Sequence, residues 1–102
     1  MPVYVVNKHN FDMNTPGIKL YIGRPSALGN PFREGTRVQM ISNYRKYLKD
    51  LFLVERHEAV VMLKWMRQLH LLGRNIFLIC YCFPKACHGD VCKEYIETGR
   101  IL

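Results

Sequence analysis

One hundred and two residues with a net charge of +7, 49% hydrophobic and 23% charged, fit one folded domain with a small core and exclude a disordered tail. No apolar run is long enough to span a membrane. Met1-Pro2-Val3-Tyr4 lacks the basic and apolar segments of a secretory signal. The expected location is therefore the cytoplasm, with no membrane partner. There the four cysteines are expected as reduced thiols or metal ligands, not disulfides. The positive charge and a pI near 9.5 favour an anionic partner such as a nucleotide, a nucleic acid or an acidic protein surface, and are equally consistent with plain solubility.

Pro2 to Asn7, rich in Val and Tyr, reads as a first strand. Lys8 to Gly17 holds Asn10, Asp12, Asn14, Pro16 and Gly17 and reads as a loop. Lys19 to Gly23 is a second strand. Thr36 is the expected N-cap of a helix running to about Phe52, with Val38, Ile41, Tyr44, Leu48 and Leu51 at helical spacing. A second helix is expected over Glu55 to Leu72, its inner stripe Ala59, Met62, Trp65, Met66 and Leu69, stopped by Gly73. Asn75 to Cys82 is a third strand, apolar on both faces and so central. Asp90 to Thr98 is a last helix with Asp90 at or near its N-cap. The order β-β-α-α-β-α predicts a small single α/β domain over residues 1–102, with a mostly parallel short sheet flanked by helices.

Two segments stand out. The first, Tyr21-Ile-Gly23-Arg24-Pro25-Ser-Ala-Leu-Gly29-Asn30-Pro31-Phe32, follows the second strand. Gly23 and Gly29 are expected to adopt backbone angles that other residues resist, and Pro25 and Pro31 restrain the residues before them. The second, Cys80-Tyr-Cys82-Phe-Pro84-Lys-Ala-Cys87-His88-Gly89-Asp90, passes from the third strand to the last helix. Together they resemble a phage and bacterial domain family of unknown function marked by these same two signatures. The resemblance covers most of the chain and implies no reaction. It implies that Gly23, Arg24, Pro25, Gly29, Asn30, Pro31 and Phe32 form one family signature, and Cys80, Cys82, Pro84, Cys87, His88, Gly89 and Asp90 the other. Cys92 stands where that family usually shows an aliphatic residue. If the chain is phage-encoded, its compartment is the host cytoplasm.

The chemistry of these residues leaves several readings open. Cys87 and His88 precede a helix N-terminus, where the dipole lowers a thiol pKa. Cys87 is then a candidate nucleophile and His88 a candidate acid or base; otherwise they are a buried filler and a polar loop residue. Asp90 caps the helix, orients His88 or serves as an acid/base. Cys80, Cys82, Cys87 and His88 make a conceivable zinc ligand set. However, Cys80 and Cys82 on one strand face would lie roughly 6.6 Å apart along the chain, and the spacing is not that of zinc motifs, so no metal is assigned. Arg24, Gly29 and Asn30 with Gly23 and Gly89 are the candidate ligand-binding set, since such loops cradle anions on backbone N–H groups; otherwise the first loop is a rigid structural turn. If the second and third strands are neighbours, Arg24, Asn30, Cys87, His88 and Asp90 surround one pocket.

His9, His57 and His70 are expected at the surface or in structural roles. Arg37, Arg45, Lys46, Lys49, Arg56, Lys64, Arg67 and Arg74 are expected mostly as a solvated surface, and no recognised nucleic-acid motif is present. The leading expectation is a domain that binds an anionic, nucleotide-like small molecule and hydrolyses or transfers a group at a phosphate or glycosidic bond. The alternatives are a phage-type interaction protein that binds a host protein or nucleic acid, and a zinc-stabilised structural module. No cofactor is assigned. The open edges of a three-stranded sheet make a homodimer a further expectation.

Overall fold

A computed structural model describes residues 3–54, 57–82 and 85–101. Pro2, Glu55, Arg56, Phe83 and Pro84, which the sequence assigned to elements or motifs, lie outside the described residues.

The elements are β1 (Val3–Asn7), β2 (Ile18–Tyr21), α1 (Arg37–Leu51), α2 (Glu58–Leu71), β3 (Ile76–Cys80) and α3 (His88–Thr98). The sheet order is β1-β3-β2, and both outer strands run parallel to β3. Val5, Leu78 and Leu20 therefore share one row across the sheet. All five residues of β3 are buried, as its unbroken apolar run requires of a central parallel strand. Ile76, Leu78 and Cys80 join the helical core with Leu48, Leu63 and Ile96. On the other face Phe77 stacks on Tyr4 and meets Phe11 from the following loop, with ring centroids 5.1 and 4.9 Å apart. α3 packs against α1, α2, β1 and β3, so the residues that open α3 sit at the centre of the molecule.

Several boundaries move. β3 ends at Cys80 and not Cys82, because Lys8 N–H caps the Cys80 carbonyl and the chain turns away. α2 begins at Glu58, where the His57 ring accepts the Ala59 N–H. Its inner stripe is Ala59, Val60, Leu63 and Met66. Trp65, expected inside, is 64% exposed. This helix carries apolar residues on more than one face, Val61, Trp65 and Leu71 being exposed, so spacing alone admits two stripes and packing selects one. Val38 is also exposed, since it occupies the first turn of α1, beyond the core. α1 starts as expected, with Thr36 and Gln39 forming a reciprocal capping box. α3 starts earlier than expected: Cys87 is the N-cap and Asp90 is its third residue.

Candidate functional site

β2 and β3 are neighbouring parallel strands, so the segments after them open at the same edge of the sheet. A cavity of about 400 Å³ lies between them. Arg24, Arg33 and Arg37 line it from the first loop and the start of α1. Cys80, Cys82, Cys87 and His88 line it from the second segment.

The first loop is held by its own side chains. Arg24 donates through Nε to the Asn30 carbonyl and through Nη2 to the Phe32 carbonyl, the latter at 2.7 Å. Asn30 is buried; its Oδ1 accepts the Phe32 N–H at 2.9 Å and its Nδ2 donates to the Met40 carbonyl at 3.3 Å. Ser26 Oγ donates to the Gly23 carbonyl, and Tyr21 OH to the Arg24 carbonyl. The Arg24–Pro25 peptide is cis. Neither Gly23 nor Gly29 has a positive φ. A Cβ on Gly29 would press on backbone, 3.0 Å from the Gly23 carbonyl oxygen and 3.1 Å from the Arg24 Cα, whereas one on Gly23 would meet the movable end of the Tyr21 side chain. Asn30, expected to read a ligand edge, has both ends of its amide bonded to backbone.

The second segment caps α3 and lines the cavity at once. The Asp90 carboxylate accepts the Cys87 N–H at 3.1 Å, and the Cys87 sulfur accepts the Gly89 N–H at 3.3 Å. Asp90 is exposed and touches His88 only through its field, so its visible role is the cap. Gly89 is buried, and a Cβ there would lie 2.9 Å from Ile22 Cδ1. The Cys87 and Cys80 sulfurs are 3.6 Å apart. This contact, followed by burial, pushes the Cys87 thiol up, opposite to the expected lowering. The Gly89 N–H at the helix N-terminus does pull downward, but the neighbouring sulfur and desolvation outweigh it.

His88 is buried, and its Nε2 lies 2.6 Å from the Ile22 carbonyl oxygen. A carbonyl only accepts, so Nε2 carries the proton and Nδ1 is the acceptor. Burial lowers the His88 pKa, and nearby Arg24 adds to this against the Ile22 hydrogen bond. The imidazole is therefore neutral near pH 7. Tyr44 meets it edge-on at 5.0 Å, and the Tyr44 hydroxyl donates to the Leu28 carbonyl at 2.7 Å. One α1 residue thus braces both segments. Cys92 lies beneath, fully buried, 3.5 Å from that hydroxyl, with its thiol pushed up to about 12 by burial.

None of the four cysteines forms a disulfide. Among the described residues no group of three or more His, Cys, Asp or Glu side chains is placed to hold a metal ion. Cys80, Cys82, Cys87 and His88 are not such a group, and the His88 Nε2 is turned to the Ile22 carbonyl.

Arg33, Arg37, Tyr21, Tyr81 and Tyr44 belong to the site and were not anticipated. Arg37, expected on the solvated surface, lines the cavity and donates to the Ala86 carbonyl at 3.1 Å. Among the described residues Arg24, Arg33 and Arg37 have no carboxylate partner, whereas Arg45 pairs with Glu94. At the rim, Tyr21 and Tyr81 meet edge-on, and the Lys8 ammonium lies 5.2 Å and 5.7 Å from their ring centroids. Adjacency to the first motif was the signal for Arg33 and Arg37; Tyr44 gave none beyond its place in the helical stripe.

Residues 5–98 match the model of the family described as Domain of unknown function (DUF4326), and the chain belongs to that family. No curated protein and no solved structure matches it. Among the described residues no helix is long and apolar enough to cross a membrane.

Proposed function

We propose, with that membership as premise, that this domain binds an anionic, nucleotide-like small molecule in the cavity between the two segments. One observation carries the reading: three arginines and a neutral imidazole line a cavity of small-molecule size, and among its described lining residues none is acidic. Cationic groups on the low-dielectric walls of a cleft concentrate an anion there. Arg33 and Arg37 are the phosphate ligands in this reading, with Arg24 adding charge while it holds its loop. Tyr81, half exposed at the rim, offers a ring face to a base. If the bound molecule is hydrolysed or transferred, His88 Nδ1 is the proton acceptor. The Cys87 thiol, its proton held by burial and by Cys80, is not a ready nucleophile.

Calorimetric titration of the purified protein against nucleoside mono-, di- and triphosphates tests this. At least one is expected to bind, with affinity falling as salt is added. Arg33→Ala and Arg37→Ala should each weaken it about tenfold, or about 1.4 kcal/mol. Binding that both variants leave unchanged, or no binding across the panel, overturns the reading.

A further inference from the structure

Nucleotide binding leaves the thiols of the same cavity unexplained. We propose that Cys80 and Cys87 are a dithiol that exchanges with a small anionic disulfide entering this cavity, closing to an intramolecular disulfide. The juxtaposition carries it: two sulfurs in contact at 3.6 Å, both in the wall of a cavity that three arginines also line. The substrate's charge preference rests on the cationic cavity of the function proposed above; the sulfur chemistry does not.

The reaction balances without a further oxidant. One thiolate of the pair attacks a sulfur of the disulfide RSSR, the S–S bond breaks, and the departing RS⁻ takes up the proton that the thiol released. The second protein sulfur then attacks the protein-bound sulfur of the mixed disulfide, losing its own proton to the second departing RS⁻. Two protein thiols are oxidised and one disulfide is reduced to two RSH. Closure requires the sulfurs to approach by about 1.5 Å, to a bond near 2.05 Å. Movement of the Cys87 sulfur toward Cys80 gives up the Gly89 N–H···S contact. Cys80 is the first cause of the raised Cys87 pKa, so the two sulfurs do not ionise together. Cys82 lines the same cavity but lies outside the contact pair.

The test uses three disulfides of similar size and different charge: dithiodipropionate (anionic), hydroxyethyl disulfide (neutral) and cystamine (cationic). Reduced protein is incubated with each, acid-quenched, alkylated and mapped by mass spectrometry. Each rate is divided by the rate of that disulfide with mercaptoethanol. The expected product has lost two hydrogens per chain and maps to Cys80–Cys87. It should form at least about tenfold faster, on the normalised scale, with the anionic than the cationic reagent at low salt, and added salt should narrow the gap. Cys82→Ser should form the same product, and Cys80→Ser and Cys87→Ser should not. Absence of an intramolecular disulfide, or its mapping to another pair, overturns the dithiol. Equal or reversed charge preference overturns the anionic substrate. Nucleotide binding that persists without disulfide formation removes this proposal alone, whereas disulfide formation without nucleotide binding removes only the nucleotide reading.

Discussion

The loop after β2 and the segment after β3 both carry glycine, proline and polar residues, and both border one cavity, yet their motif side chains point to different tasks. In the loop, Arg24, Ser26 and Asn30 bond the loop's own backbone or the neighbouring α1 carbonyl of Met40. In the second segment, the backbone is served by Asp90 and by the Gly89 contact, while three cysteines and an imidazole line the cavity wall. The cations proposed as phosphate ligands, Arg33 and Arg37, come from outside the first motif. A dense motif therefore specifies a shape in one case and offers chemistry in the other. Hydrogen-bond accounting distinguishes them where residue type does not.

The largest expected effect tests the scaffold half of this contrast. Asn30→Ala takes from the Phe32 N–H its side-chain acceptor and from the helical Met40 carbonyl an additional donor, both in a part-buried setting. The expected loss is about 2 kcal/mol, from two hydrogen bonds at about 1 kcal/mol each, read as a lower urea midpoint at unchanged slope. A loss below about 0.5 kcal/mol would show that the loop does not depend on Asn30 and would break the contrast.

A smaller effect belongs to the second segment and appears only in acid. The folded-state pKa of His88 is depressed, chiefly by burial. Between that value and the ordinary 6.5 the unfolded chain binds more protons, so stability rises with pH across the window. The contribution is complete above the ordinary value and is lost as pH falls through the folded one. His88→Gln, which keeps a donor for the Ile22 carbonyl and cannot titrate, should flatten that part of the pH–stability curve relative to the parent. An identical slope in parent and variant would place the acid sensitivity elsewhere.

Much of this was legible in the sequence. The element order, the central β3 and the Thr36 cap follow from apolar pattern and cap chemistry, which are local signals. The neighbouring placement of the two segments was legible only conditionally, because strand order is a tertiary fact. Trp65 misled because α2 carries apolar residues on more than one face. The raised Cys87 pKa could not be read from its helix-terminal position, since the opposing influence is Cys80, seven residues away in sequence and in contact only after folding. Gly23 and Gly29 were singled out for backbone freedom, but neither has a positive φ, and what bears on Gly29 is tight contact with neighbouring backbone atoms.

Cys87→Ser gives the finest test, because it separates a cap from a reagent at one position. Cys87 is the N-cap of α3, and its sulfur accepts the Gly89 N–H. Serine is among the preferred cap residues and its hydroxyl accepts the same kind of bond, whereas alanine forfeits it at about 1 kcal/mol. The Asp90 half of the capping box uses the Cys87 backbone N–H and survives either change. Cys87→Ser should therefore remain within about 0.5 kcal/mol of the parent in urea unfolding, while losing the disulfide product altogether. A destabilisation as large as that of Asn30→Ala would mean that the sulfur contact with Cys80 holds the fold together. The second segment would then be as much a scaffold as the first.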